Sequence, residues 1–127
     1  MTDRAGRVRI LIADDNALVR RGLISLLSNE SACEICGEAS NAAETLQKVS
    51  ELRPDLVLLD VSMPGASGLD TARRLRQQMA EIKILILSQH DPSRMSAHSL
   101  EAGADGFVDK GRLGTDLLPT ILSMFRR

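Results

Sequence analysis

Apolar and polar positions alternate on two length scales along this chain. Short, mainly apolar runs occupy 8–13, broken at Arg9, 33–36, broken at Glu34, then 56–59, 84–87 and, more weakly, 106–108. Runs this short and this apolar suit parallel strands covered on both faces. Between them the apolar residues fall at helical spacing. Over 16–28 they are Val19, Leu23, Leu26 and Leu27, and over 67–79 they are Leu69, Ala72, Leu75 and Met79. The segment 41–52 carries Leu46 and Val49 behind Asn41 and Glu44, the spacing of a capping box. Asp91-Pro92 reads as a cap followed by proline at the first helical position, leading into a helix over 95–102. Thr115 is predicted to cap a final helix, with Pro119 in its first turn. Five strand–helix alternations predict a three-layer α/β sandwich with right-handed crossovers. Ligands of such sheets sit at the carboxyl ends of the strands.

Composition narrows the partners more than the fold. The 127 residues suffice for one domain with its own core. Sixteen basic side chains against seventeen acidic ones leave no positive excess to hold nucleic acid. No apolar run nears the about 18 residues of a membrane span, and the polar start lacks a secretory signal; the expectation is a cytoplasmic domain with residues 1–6 flexible. Phe107 and Phe125 are the only aromatics, too few for a stacking platform. Cys33 and Cys36 form a C-x-x-C pair. On a strand, residues three apart point to opposite faces, so both read as strand cysteines rather than a redox or zinc pair.

The chemistry lies in what ends each apolar run. The first ends in Asp14-Asp15, the third in Asp60, the fourth in Ser88 and the fifth in Asp109-Lys110. An aspartate at a strand end is most often a cap or turn former, and a loop lysine is commonly just solvated. The set is distinguished by joint placement, because parallel strands bring all these ends to one rim. Three carboxylates converging there repel unless a cation neutralises them. Magnesium fits, since it prefers oxygen ligands and takes only one or two carboxylates while keeping several waters. Lys110 adds a point charge and Ser88 a neutral donor, parts suited to the oxygens of a transferring phosphoryl group. Asp60 is the expected nucleophile, with Asp14 and Asp15 as the metal pair.

Four segments carry a resemblance. Ile12-Ala13-Asp14-Asp15, Leu58-Leu59-Asp60-Val61-Ser62-Met63-Pro64-Gly65-Ala66-Ser67-Gly68, Ile86-Leu87-Ser88 and Gly103-Ala104-Asp105-Gly106-Phe107-Val108-Asp109-Lys110 follow one another in order. From about residue 7 to 125 the chain resembles the receiver domain of two-component response regulators. The stretch from Asp14 to Leu23, Gly37-Glu38-Ala39, and the lack of proline after Lys110 look most like the NarL/FixJ (LuxR-type) subclass. The resemblance implies a doubly wound, flavodoxin-like (βα)5 domain over 1–127 whose five-stranded parallel sheet has the order 2-1-3-4-5.

It also implies roles. Asp60 accepts phosphate from the phosphohistidine of a sensor histidine kinase or from a small phosphodonor. Asp15, Asp60 and the backbone carbonyl of Ser62 ligate Mg²⁺ directly, while Asp14 acts through a bound water. Lys110 pairs with Asp60 at rest and with the phosphoryl group afterwards. Ser88 moves to donate to that group, and Phe107, at the aromatic switch position, turns inward. The resulting output surface is built by the fourth helix, the fifth strand and the last helix. Partners are the kinase, a second copy on phosphorylation, and DNA only through a C-terminal helix-turn-helix domain that this chain does not contain. Such a domain is a phosphoacceptor that assists its own phosphorylation and dephosphorylation, not a conventional enzyme.

Some positions depart from the family pattern. Gln89 stands where a small residue is common and narrows access to the phosphoryl group. Ser62 and His90 occupy positions that tune dephosphorylation, and Phe107 lacks the hydroxyl of the more frequent tyrosine. Other functions fit less well. An aspartyl phosphohydrolase wants a second acidic residue two positions after Asp60, where Ser62 stands. A flavodoxin-like cofactor binder wants a Ser/Thr/Gly-rich loop after the first strand and an aromatic partner for the ring. A stand-alone receiver or a phosphorylation-independent interaction module is the remaining alternative.

Overall fold

The computed structural model describes residues 6–63, 67–89, 98 and 100–125. Five strands, β1 (Val8–Ala13), β2 (Cys33–Ala39), β3 (Leu56–Asp60), β4 (Lys83–Ser88) and β5 (Gly106–Asp109), form one sheet. All neighbours pair in parallel, in the order β2-β1-β3-β4-β5. Helices α1 (Ala17–Ser28), α2 (Ala42–Leu52) and α3 (Gly68–Gln78) follow the first three strands, and a C-terminal helix spans Leu113–Met124. Residues 98, 100 and 101 are helical, whereas the expected Asp91-Pro92 cap lies outside the described residues, as do residues 1–5, Pro64-Gly65 and His90.

The period of two along each strand divides the core into two layers. Leu11, Ala13, Val57, Leu59, Ile84 and Ile86 pack against Val49 of α2 and Ala72 and Leu75 of α3. The alternate positions Ile10, Ile12, Leu56, Leu58, Leu85 and Leu87 pack against Leu23 and Leu27 of α1 and Leu117 and Ile121 of the C-terminal helix. The central strand β3 is buried along its whole length, as its unbroken apolar run requires.

Caps fix the helix starts. The Asn16 side chain accepts from the Leu18 and Val19 amides, and the Ser67 hydroxyl from the Asp70 amide. Asn41 caps Glu44 as its spacing predicts, but the Glu44 carboxylate returns to the amide and hydroxyl of Ser40, one residue earlier than in a standard box. The Ser40 amide, and then its hydroxyl and Lys48, hold the Glu44 carboxyl below its ordinary pKa despite slight desolvation.

Two expectations need correction. The second strand extends past Cys36 to Ala39, and its pairing skips Cys36: Ile10 faces Ile35 and Leu11 faces Gly37. This bulge lets polar Gly37-Glu38 continue an edge strand that carries no long apolar run. The final helix begins at Leu113, not after Thr115, because Asp109 accepts from the Gly111 amide and starts a 3-10 turn (Lys110–Arg112) that runs straight into it. Pro119 therefore lies in the helix interior, where its ring nitrogen cannot donate to the carbonyl four residues back. Cys33 and Cys36 are free thiols; burial raises both pKa values and keeps the thiols protonated at neutral pH.

Candidate phosphoryl and metal site

The strand order reverses direction between β1 and β3, since the chain runs outward from β1 to β2 and then returns to the other side. Crevices form at such switch points. Asp14 follows β1 and Asp60 ends β3; both are buried, at 0% and 1% exposure, while Asp15 is exposed. One carboxylate oxygen from each of the three lies within 4.8 Å of the others. The predicted acidic cluster is thus assembled from two separate strand ends.

Lys110, directly after β5, reaches across this cluster. Its Nζ lies 3.0 Å from Asp14 Oδ2 and 3.1 Å from Asp60 Oδ1. Burial lowers the lysine's pKa, but the adjacent Asp14 and Asp60 carboxylates outweigh it, so the ammonium titrates above its ordinary value. The two aspartates are held differently. Asp14 Oδ1 accepts from the Asn16 amide at 2.8 Å, which closes the turn before α1. Asp14 Oδ2, fully buried, meets Lys110 without the alignment of a hydrogen bond. Asp60 Oδ1 collects Lys110 together with the Ser62 amide (3.2 Å) and the Ser62 hydroxyl (3.1 Å).

The remaining expected residues stand on the same rim. Ser88 is buried at the end of β4 and in register with Asp109 at the end of β5. Phe107 pairs with Ile86 and is half-buried against the layer of α2 and α3. Ser62 is exposed, and its amide and hydroxyl both turn toward Asp60. Gly68 has a steric reason to be glycine: a Cβ there would stand 2.4 Å from Val61 Cα and 2.9 Å from the Asp60 carbonyl oxygen. Its amide donates to the Val61 carbonyl at 2.8 Å, which closes the loop after Asp60 onto the start of α3.

A hard cation fits these residues. The buried Asp14 Oδ2 has no aligned donor, and three carboxylates face a single ammonium, an excess of negative charge that Mg²⁺ would neutralise. Sequence reasoning missed Arg20. Its Nη1 donates to the Asp14 carbonyl at 2.7 Å and its Nε to Glu38 Oε1 at 2.8 Å. An arginine one turn into an amphipathic helix reads as a solvated residue, so no signal in the sequence marks this contact.

Comparison with known proteins agrees with this geometry. Residues 10–121 match the response regulator receiver domain family. The response regulator GacA of Pseudomonas viridiflava is 34% identical over 118 residues, covering 93% of this chain and 55% of that protein. The DNA-binding transcriptional activator DevR/DosR of Mycobacterium tuberculosis is 34% identical over 110 residues, covering 87% of this chain and 51% of its own length. The chain thus spans about half the length of these curated relatives. Among solved structures, a LuxR-family two-component response regulator from Aurantimonas superposes with a TM-score of 0.88 at 31% identity, covering 93% of this chain and 84% of that one.

Proposed function

Since the chain belongs to the response regulator receiver domain family, in its LuxR-type NarL/FixJ subclass, we propose that it accepts a phosphoryl group on Asp60. The family is a signalling domain rather than a conventional enzyme. The donor is the phosphohistidine of a sensor histidine kinase, or a small acyl phosphate. An Asp60 carboxylate oxygen bonds to phosphorus, the bond to the imidazole nitrogen breaks, and its electron pair leaves with the imidazole. The observation that carries this reading is the meeting of Asp14, Asp15 and Asp60 oxygens within 4.8 Å beside the Lys110 ammonium.

Asp15, Asp60 and the Ser62 carbonyl would hold Mg²⁺ directly, and Asp14 would hold it through water. When bound, the ion supplies positive charge to the acidic oxygens and to those of the phosphoryl group. Lys110, already within hydrogen-bond reach of Asp60, transfers its pairing to the new oxygens. Ser88 reorients to donate to them, and Phe107 moves inward behind it. The phosphoryl group adds about −1.5 to −2 charge and three acceptor oxygens, enough to bias two states a few kcal/mol apart.

The shift is read out on the face around β5 and the C-terminal helix, through dimerisation with a second copy and through an attached helix-turn-helix domain that binds DNA. Relatives named as response regulators and as a DNA-binding activator, of whose length this chain spans about half, support that output. No helix among the described residues is long and apolar enough to cross a membrane, and the cytoplasm is the proposed location.

The test is intact-protein mass spectrometry after incubation with acetyl phosphate and Mg²⁺. One stoichiometric, alkali-labile adduct is expected, and Asp60→Asn loses it because an amide is not an effective nucleophile. An undiminished adduct in that variant reassigns the acceptor.

A further inference from the structure

We propose that Arg20 is a positioning residue for the acidic cluster, holding the Asp14–Asp15 peptide in the orientation that lets both carboxylates address one Mg²⁺. This rests on the Mg²⁺ site proposed above.

The carbonyl of Asp14 belongs to the peptide linking the two aspartates. Its orientation fixes ψ of Asp14 and φ of Asp15, and an uncompensated change in either angle turns one aspartate side chain relative to the other. Only one side chain among the described residues grips it: Arg20 Nη1, at 2.7 Å. The guanidinium is itself fixed, because its Nε donates to Glu38 Oε1 at 2.8 Å and its side chain is only 19% exposed. Glu38 stands on β2 opposite Ile12 of β1, and the Lys48 ammonium of α2 donates to its carbonyl. The Asp14 amide in turn donates to the Ala39 carbonyl at 3.0 Å. Arg20 therefore ties the loop after β1 to the end of β2, using a fork that a point charge cannot fully reproduce.

Two effects of Arg20 on a bound cation oppose each other. Its own positive charge disfavours Mg²⁺ nearby, and Glu38 offsets this by pairing with it. Its grip on the peptide favours Mg²⁺ by pre-aiming the ligands, as groups behind metal ligands commonly do. The sign of the change on removing the guanidinium separates them.

The experiment is isothermal titration of the folded chain with Mg²⁺, alongside the thermal midpoint of the metal-free protein. Arg20→Met is expected to weaken Mg²⁺ binding by about tenfold, and Arg20→Lys, which keeps a cation able to reach the carbonyl, recovers part of that loss. A packing role alone would lower the midpoint equally in both variants and leave affinity unchanged. Wild-type affinity in a folded Arg20→Met protein, or tighter binding as expected from charge alone, overturns the proposal while leaving the phosphoacceptor reading intact. If Arg20→Met does not fold, Arg20→Gln carries the same test with the same criteria. A wild-type chain that binds no Mg²⁺ overturns both this inference and the phosphoacceptor reading.

Discussion

The two rims of the sheet treat charge in opposite ways. At the amino rim, among the described residues, charged side chains are drawn into ion pairs and backbone contacts. Asp55 accepts from the Arg9 amide, and the Arg9 guanidinium caps the Leu52 and Arg53 carbonyls. Arg76 donates to the carbonyls of Ala80, Ile82 and Gly103 and to Asp105 Oδ2, which also accepts from the Ile84 amide. At the carboxyl rim, three aspartates crowd one lysine and a buried carboxylate oxygen lacks an aligned donor. The first rim stabilises the fold. The second is held together by it, in an arrangement whose crowded negative charge a bound cation would relieve.

That contrast can be broken at several points. Gly68→Ala forces a Cβ into the Asp60–Val61 backbone and should cost about 3 kcal/mol in urea unfolding, with slower adduct formation because the acceptor loop must shift. Removing Arg76 by Arg76→Met should cost about 2 kcal/mol, since it strips charge-assisted donors from three carbonyls and Asp105, yet the folded variant should still form the phosphoryl adduct at the wild-type yield.

Asp15→Asn, at the other rim, removes one of the repelling charges. In low salt without divalent ions it should stabilise the chain by about 0.5–1 kcal/mol, while raising the Mg²⁺ needed for phosphorylation steeply. If Asp15→Asn destabilises the chain as Arg76→Met does, the two rims are alike and the contrast fails.

The smallest effect is one of pH. Lys110 titrates higher folded than unfolded, so its stabilising contribution is complete below the unfolded value of about 10.4 and is lost as pH rises through the folded value. Lys110→Met should flatten the alkaline limb of the stability curve above about pH 10, measured by unfolding at stepped pH. An unchanged limb would remove Lys110 as its source.

The sequence made most of this legible, for reasons that differ by element. β1, β3 and β4 are buried strands whose apolar runs, broken only at Arg9 of β1, mark them to within a residue at each end. β2 is an edge strand with Gly37 and Glu38 in its second half, so its apolar run ends before the strand does. The start of the C-terminal helix was hidden because the cap is Asp109, serving a 3-10 turn, while Thr115 only resembles one. Asp14, Asp15, Asp60, Ser88 and Lys110 were legible because they stand at the carboxyl ends of four different apolar runs. Arg20 and Arg76 were not, because both act on backbone carbonyls brought near by the fold, and a carbonyl leaves no trace in the residue type.

The most direct test of the crowded rim is the thermal midpoint as a function of Mg²⁺ for wild type, Asp15→Asn, Asp60→Asn and Arg76→Met. A site assembled from these oxygens predicts that Mg²⁺ raises the midpoint of wild type and Arg76→Met alike, by an amount that grows with its concentration, and raises those of Asp15→Asn and Asp60→Asn far less. An equal rise in all four proteins, or none in the folded wild type, contradicts it.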